Sequence, residues 1–274
     1  MRDQRRLTFI SYTVLSLLAI FMIFPFLWMF FSSFKTLDDI YRITFLPPHP
    51  TFDNYVYIFT SRYSRFTTWF LNSVIVAAAT TVSVLFFDSL LGYTLSKFSF
   101  PGKKIIFLII ISTLMIPTEM LVIPWYQISV MMKWVNSYWG IMFPGMISAF
   151  GMFLMRQFMM SIPDDLLDAA RIDGKSEFRI FLTVAIPLSA SALATLAIFN
   201  IIGNWNSFFW PLIISSRSVM FTLPVGLANF SSEATSEWNL IMTGATLAMA
   251  PLIVIFLIFQ QQIIKGISLS GMKG

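Results

Sequence analysis

The chain of 274 residues contains no cysteine, a single histidine and few charged side chains. The absence of cysteine excludes disulfide scaffolds, thiolate metal sites and cysteine nucleophiles. The single histidine, His49, stands between two prolines, and one histidine excludes both a histidine-rich metal site and a Ser-His-Asp hydrolase site within this chain. Only 11% of the residues are charged, against about 25% in an ordinary globular protein. So few charges cannot cover the surface of a water-soluble domain.

Apolar residues, in contrast, make up 57% of the sequence and occur in long uncharged runs. A helix that crosses a bilayer needs about 20 apolar residues, and a charge at its centre costs at least about 2.5 kcal/mol. Five membrane spans follow directly from runs without Asp, Glu, Lys or Arg. A sixth is interrupted by Glu119, which we place in the outer half of one helix. The predicted spans are 9–31, 70–93, 105–128, 139–158, 186–208 and 243–264.

The distribution of Lys and Arg predicts the orientation of these spans, because short cytoplasmic loops are enriched in both residues. With a cytoplasmic N-terminus, 12 of the 18 basic residues fall in inner segments. The sequence therefore predicts an all-α integral membrane protein with six transmembrane helices, cytoplasmic N- and C-termini and one domain over 1–274. The first span is too long for the apolar region of a secretory signal and is interpreted as a retained anchor. Topology accounts for the net charge of +5, so nucleic-acid binding is not needed to explain it.

The inner loop 159–183 is polar and is patterned unlike the other loops. Ser161 is predicted to cap a helix with Pro163 in its first turn. Gly174 is predicted to end that helix, since glycine enters the left-handed conformation without strain. A second short helix then starts at Ser176 and leads into the fifth span. The loop is thus either a solvated amphipathic segment or a helix–glycine–helix elbow that receives force from a cytoplasmic partner.

The spacing of the elbow resembles the EAA motif of permease subunits in binding-protein-dependent ABC importers. It reads Asp168-Ala169-Ala170, three residues, Gly174, nine residues, and 184–187 ending in Pro187. Asp168 stands where the motif has Glu, and the charged Asp88 is a second departure. Further stretches are similar to the carbohydrate branch, in particular its shorter maltose-type subunit: FFSSFK (30–35), FPGKK (100–104), RQFMMSIPDDLLDAARIDG (156–174), NWNSFFWPLI (204–213), TLPVGL (222–227) and SGMKG (270–274).

This resemblance implies the architecture of a type I ABC importer permease in a bacterial or archaeal cytoplasmic membrane. Two homologous permease subunits would enclose a translocation path, and two ABC ATPase subunits would dock on the elbow. An extracytoplasmic solute-binding protein would deliver a sugar or oligosaccharide, and segment 213–238 is a candidate surface for it. The ATPase-coupling residues implied by the motif are Asp168, Ala169, Ala170, Gly174 and Pro187.

The sequence gives no indication of catalysis in this chain. Gly174-Lys175-Ser176 imitates the end of a P-loop, but Ala169 stands where the loop needs its first glycine, and no strand precedes it. No HExxH or GxSxG pattern occurs. We therefore expect no cofactor or metal in this chain, with ATP and Mg²⁺ held by the ATPase partners.

Polar side chains within the predicted spans are the candidates for the translocation path, because they are costly to place in a membrane. Each has a structural alternative: a satisfied packing contact or protonation at a subunit interface for the acids, and an interfacial aromatic belt for tryptophan. Asp88 is interpreted mainly as structural. The candidate path residues are Glu119, Asn200, Asn204, Trp205 and Asn206.

Two other functions remain open from the sequence. An ABC permease for a non-sugar solute, such as a peptide or polyamine, would carry the same elbow. A secondary carrier would use Asp88 and Glu119 as a proton relay.

Overall fold

The computed structural model describes residues 2–231 and 237–271, which contain helices and turns and no β-strand. Helices are the expected form for these apolar stretches, because backbone groups in hydrocarbon must satisfy one another. The predicted all-α class is confirmed for these residues. Their α-helices are α1 (Arg2–Ser32), α2 (Asp53–Thr60), α3 (Phe66–Lys97), α4 (Lys103–Ser112), α5 (Val122–Met131), α6 (Tyr138–Met142), α7 (Ala149–Met160), α8 (Asp164–Ile172), α9 (Glu177–Ile180), α10 (Ile186–Leu188), α11 (Ala190–Trp205), α12 (Phe209–Ile214), α13 (Leu223–Ala228) and α14 (Trp238–Gly271).

Among the described residues, three helices are long and apolar enough to cross a membrane unaided. They are Thr8–Ser32, Phe66–Lys97 and Trp238–Gln260. Three further pairs of helices qualify only if each bent pair is counted as one span. The pairs are Lys103–Met115 with Thr118–Met131, Tyr138–Gly145 with Ala149–Met160, and Glu177–Leu188 with Ala190–Trp205. Length and composition therefore allow three to six spans.

The predicted third span, 105–128, is not one continuous helix. Its two halves meet at an angle of 98°. Ile116 is extended, with φ −87° and ψ 117°, and Pro117 follows it. Proline disfavours a helical conformation in the residue before it and cannot donate a helical hydrogen bond itself. The proline thus separates the halves, and Glu119 lies just beyond the break.

The predicted fifth span, 186–208, contains a bend near its start. Its helix α11 begins at Ala190 and is bent by 81° from the preceding helical segment. Pro187 lies in α10, before the bend. The fourth span is bent by 46° near Pro144, between Tyr138–Gly145 and α7.

The chain divides into two compact units, which are described separately. The first comprises Met1–Thr67 and Gly226–Pro251, and the second Thr68–Val225 and Leu252–Gly274. The single domain over 1–274 stays a prediction. Residues 232–236 of the candidate surface 213–238, residues 272–274 of SGMKG and the N-terminal residue lie outside the described residues.

In the first unit, the FFSSFK stretch (30–35) contains the end of α1 and the turn that follows it. Lys35 is fully buried, and its Nζ donates to the carbonyls of Arg42 at 3.1 Å and Thr44 at 2.7 Å. Asn54 Nδ2 donates to the carbonyls of Ser33 at 2.9 Å and Lys35 at 2.8 Å. Lys35, the first charged residue after the apolar run of α1, therefore satisfies backbone carbonyls.

In the second unit, the core that positions the elbow lies among α3, α7, α8 and the chain after α9. Its members are buried apolar side chains, and their contacts hold the elbow on the rest of the unit. They include Tyr93, Met155, Met159, Ile162, Leu167, Ala170, Ile180, Phe181 and Ala185.

Candidate functional site

The first helix of the elbow, α8, begins later than the sequence predicted. Pro163 is its N-cap and supplies no side-chain hydrogen bond. Ser161 instead closes α7, where its hydroxyl donates to the carbonyl of Phe158 at 2.7 Å, so the predicted cap is wrong. Asp164 and Asp165 occupy the first turn, where the helix dipole favours negative charge. Acidic residues therefore stabilise the start of α8 without a capping side chain.

Gly174 ends α8 as predicted. Its φ is +78°, a conformation that costs an L-residue about 1–2 kcal/mol. The amide of Gly174 donates to the carbonyl of Arg171 at 3.0 Å, and the amide of Lys175 donates to that of Ala170 at 3.1 Å. This pair of bonds is a Schellman motif, which turns the chain sharply out of the helix.

The second helix of the elbow also begins where the sequence placed it. Ser176 is the N-cap of α9, and its hydroxyl accepts a long bond of 3.4 Å from the amide of Arg179. A π-helical segment, Phe181–Ala185, joins α9 to α10. Such segments are rare and occur frequently at functional sites. The elbow is thus two short helices joined by one glycine turn.

The two neighbouring alanines of the motif lie on different faces of α8. Ala170 and Leu167 are 5% and 1% exposed and belong to the core of the unit. Ala169 is exposed, as are Leu166 at 47% and Ile172 at 87%. The small residues therefore serve two purposes: one permits close packing inside the unit, and the other belongs to an outward apolar edge formed by Leu166, Ala169 and Ile172.

Arg171 joins the two helices of the elbow. Its Nη1 donates to Asp168 Oδ1 at 2.5 Å, and its Nε donates to Glu177 Oε1 at 2.6 Å. The two carboxylates raise the pKa of the guanidinium above its usual range. Asp168, the residue at the acidic position of the motif, is thus held within the elbow by a charge-assisted bond.

Two residues of the long helix α3 attach the elbow to it. Lys97 Nζ donates to Asp164 Oδ1 at 2.7 Å and to the carbonyl of Ile162 at 2.5 Å. The hydrogen bond and charge of Lys97 lower the pKa of Asp164. The Tyr93 hydroxyl donates to Glu177 Oε2 at 3.2 Å. Sequence reasoning missed these contacts, because Lys97 is 67 residues from Asp164 and its partner depends on tertiary packing.

A second group of polar side chains lies between α3 and α11. Thr81 Oγ1 donates to Asn200 Oδ1 at 2.9 Å, and Asn204 Nδ2 donates to the same oxygen at 2.9 Å. All three side chains are neutral. The structure therefore brings together two of the predicted path residues and adds Thr81, which the sequence analysis did not single out.

The remaining path candidates lie apart from that group. Trp205 is 4% exposed, and its ring packs edge-to-face on Phe70 with centroids 5.4 Å apart. Asn206 is exposed, and its Nδ2 donates to the carbonyl of Ile202 at 3.0 Å. Glu119 is exposed after the break in the third predicted span. In this conformation the Trp205 ring is not available for stacking on a ligand.

Asp88 has structural partners, in line with its main interpretation. It is fully buried, and its two carboxylate oxygens accept from the amide of Ser148 at 3.0 and 3.2 Å. Ser148 is the N-cap of α7, where negative charge is favoured. A Cβ added to Gly151 would collide with Asp88 Oδ2, so only glycine fits there. Asp88 therefore fixes the start of α7.

In the second unit, the 216–223 segment is held on the first turns of α3. Trp69 Nε1 donates to the carbonyl of Ser218 at 2.8 Å. Asn72 Nδ2 donates to the carbonyls of Val219 at 2.9 Å and Phe221 at 2.8 Å. This part of the predicted binding-protein surface is fixed by side chains of α3.

Comparison with solved structures identifies the fold. The chain matches a chain in the crystal structure of a bacterial ABC transporter involved in the import of the acidic polysaccharide alginate, with a TM-score of 0.84. The match covers 95% of this chain and 98% of that one at 23% sequence identity. An identity this low establishes the fold alone, which is that of a chain of this ABC transporter.

The sequence comparisons identify the family. Residues 88–269 match the family described as the binding-protein-dependent transport system inner membrane component, and the chain belongs to it. The family inferred from the EAA-like spacing is thereby confirmed, as is a membrane location. The chain is therefore a membrane transport component of the ABC importer class.

Two relatives cover almost the whole chain. The arabinooligosaccharides transport system permease protein AraQ of Bacillus subtilis (strain 168) is 35% identical over 262 residues, covering 94% of this chain and 93% of its own length. The sn-glycerol-3-phosphate transport system permease protein UgpE of Salmonella typhi is 34% identical over 275 residues and covers 97% of both chains.

Proposed function

We propose that this chain forms half of the translocation path of an ATP-driven importer for a sugar or oligosaccharide. The observation that carries the proposal is the elbow: two short helices fixed on a buried core, with an outward apolar edge. An exposed apolar edge on a rigid support is suited to a protein partner. The relative named for arabinooligosaccharide transport supports the substrate class.

The proposed topology has six spans, with each bent pair of helices crossing once. Both termini and the elbow lie in the cytoplasm, where the excess of Lys and Arg is expected. The segment held by Trp69 and Asn72 then faces the extracytoplasmic solute-binding protein. Multi-pass insertion in the cytoplasmic membrane of a bacterium or archaeon follows from this topology.

In the proposed assembly, a second homologous permease completes the path and two ABC ATPases dock on the elbows. Ala169 contacts the ATPase, Ala170 packs the elbow on its own subunit, and Gly174 sets the turn. Asp168 keeps the two elbow helices together through Arg171, and Pro187 lies beside the bend at the start of the fifth span. ATP and Mg²⁺ belong to the ATPases, and this chain carries out no covalent chemistry.

Transport in this proposal is alternating access. ATP-driven closure of the ATPases favours one packing of the permease pair, and product release favours the other. A partner shifts such an equilibrium only by binding one state more tightly. The elbow is the surface on which that difference in contact acts.

The neutral group of Thr81, Asn200 and Asn204 favours an uncharged, hydroxyl-rich solute. Hydroxyl and amide groups exchange hydrogen bonds readily with sugar hydroxyls. The relative named for sn-glycerol-3-phosphate makes a phosphorylated polyol the second candidate. That anion would require basic side chains in the path, and α11 contains none.

Reconstitution with its partners in proteoliposomes tests the proposal. We expect sugar uptake that requires ATP, the binding protein and both permeases. Gly174→Pro is expected to abolish uptake while leaving the subunit inserted, because proline cannot adopt a φ of +78°. Uptake that survives inactivation of the ATPase and collapses with the ion gradient would identify a secondary carrier instead.

A further inference from the structure

A cleft of about 430 Å³ opens beside the first turn of α4, away from the elbow contacts. Its lining combines basic and apolar residues. The basic residues are Lys103, Lys104 and Arg156, and the apolar ones are Phe100, Ile105 and Phe107. None of these six residues is needed for the coupling or path roles described above.

Two of the basic side chains of this cleft contact backbone carbonyls rather than carboxylates in the part of the chain that the structure describes. Lys103 Nζ donates to the carbonyl of Phe98 at 2.7 Å, and Arg156 Nε donates to that of Leu95 at 3.1 Å. Neither bond carries a counter-charge. Among the described residues, no carboxylate forms an ion pair with Lys103, Lys104 or Arg156. The cleft thus presents three cations that lack a carboxylate partner among the described residues.

Two of these cations lie on α4, where their position adds to the excess of positive charge in the cleft. Lys103 and Lys104 occupy the first turn, where the helix dipole is positive and cations are disfavoured. Gly102 precedes them as the N-cap and has no side chain to bond the first-turn amides. An anion in the cleft would be attracted by the lysines and by the helix start together.

The apolar residues of the lining indicate what kind of anion fits. The guanidinium carbon of Arg156 lies 4.2 Å from the centre of the Phe107 ring, so a cation and an apolar surface are adjacent. Ile105, at the beginning of an apolar run, is exposed next to the two lysines. A small inorganic anion would contact the basic side chains and leave the apolar lining residues uncovered.

We propose that this cleft binds the phosphate headgroup of an anionic phospholipid, with its acyl chains along Ile105 and Phe107. Basic pockets next to membrane helices bind such headgroups through the same combination of charge and apolar contact. The inference depends on the membrane location of the family and is independent of the transported solute and of the elbow.

The test is native mass spectrometry of the full chain in mild detergent, titrated with phosphatidylglycerol or with phosphatidylcholine of identical acyl chains. Lys104→Gln is the main variant, because Lys104 is exposed and its replacement disturbs no hydrogen bond among the described residues. Lys133→Gln, also exposed but outside the cleft, is the matched control. Lys104→Arg is the conservative variant.

We expect preferential binding of phosphatidylglycerol and an affinity loss of about fivefold in Lys104→Gln, the effect of one basic residue at an anionic membrane surface. Lys133→Gln and Lys104→Arg should bind like the wild type. Arg156→Gln, checked for intact helicity by circular dichroism, should weaken binding in the same direction. Equal binding of both lipids, equal loss in the control, or displacement of the lipid by millimolar inorganic phosphate would overturn the proposal.

Discussion

At the scale of single residues, the two glycines with positive φ allow the effect of backbone strain on stability to be distinguished from an effect on transport. Gly174 and Gly102 have φ values of +78° and +83°, and a Cβ at either position would meet nothing within 4 Å. Replacing either glycine thus changes backbone strain and creates no clash. The two positions differ in location, since only Gly174 is part of the elbow.

The first prediction uses this pair. Gly174→Ala and Gly102→Ala should each lower the free energy of unfolding by about 1–2 kcal/mol, the cost of a left-handed L-residue. Only Gly174→Ala should reduce ATP-dependent uptake, because it strains the turn that sets the angle of the elbow. Thermal unfolding in detergent and uptake in proteoliposomes measure the two effects. An equal loss of uptake in both variants would assign the effect to general destabilisation.

The sequence anticipated residue conformation better than residue contacts. Gly174 was predicted to end its helix because few residues adopt a left-handed φ, and this requires no knowledge of packing. The hydrogen-bond partners of Arg171 were not predictable in the same way. Its bond to Asp168 spans three residues, but its bond to Glu177 exists only because the chain turns at Gly174.

At the scale of elements, the elbow has an inner and an outer face. The inner face, with Leu167 and Ala170, belongs to the same buried core as residues of α3 and α7. The outer face, with Leu166, Ala169 and Ile172, is exposed. Leu166 and Leu167 are neighbours in the sequence, yet they lie on different faces because only Leu167 is turned to the core.

The second prediction separates the two faces. Ala170→Leu should destabilise the subunit by about 1–3 kcal/mol, because it overfills a packed core. Ala169→Leu should leave the unfolding temperature unchanged and weaken ATPase association, because it alters only the outer edge. Co-purification with the ATPase in mild detergent, compared with thermal unfolding of each variant, provides the measurement. Normal ATPase binding by a correctly folded Ala169→Trp variant would contradict the proposed contact.

Helix positions were largely predictable, whereas the bends were not. Long uncharged runs located α1, α3 and α14, because charge is costly in a membrane. Pro117 was visible in the sequence, but proline permits anything from a slight kink to a full break. The two halves, which meet at Ile116 and Pro117, form an angle of 98°. The size of such an angle depends on what each half packs against, which the sequence does not show.

At the scale of the whole molecule, charged groups are scarce, and few of them can make stability depend on pH. The folded pKa of Asp164 lies below its ordinary value of about 3.9. Its stabilising contribution is therefore complete above that value and disappears as the pH falls through the lower folded pKa. The pKa of Arg171 is raised, so its contribution is complete throughout the neutral range and disappears only at strongly alkaline pH.

The third prediction concerns this pH dependence. The unfolding temperature of the wild type should exceed that of Asp164→Asn by a constant small amount between about pH 5 and 8. The difference should shrink below about pH 4, where the wild-type carboxylate becomes protonated. Differential scanning fluorimetry across this range provides the measurement, with Asp165→Asn as the neighbouring control. A difference that grows on acidification would contradict the Lys97–Asp164 pair.

The attachment of the elbow to α3 determines how a displacement would spread. Tyr93 and Lys97 hold α9 and α8 from the side, while the chain itself continues into α11. A shift that preserves these contacts must carry the end of α3 with it. Work done by nucleotide hydrolysis on a neighbouring chain would then tilt two crossings at once. Without the Tyr93 and Lys97 contacts, only the packed core and the covalent connection would remain to transmit it.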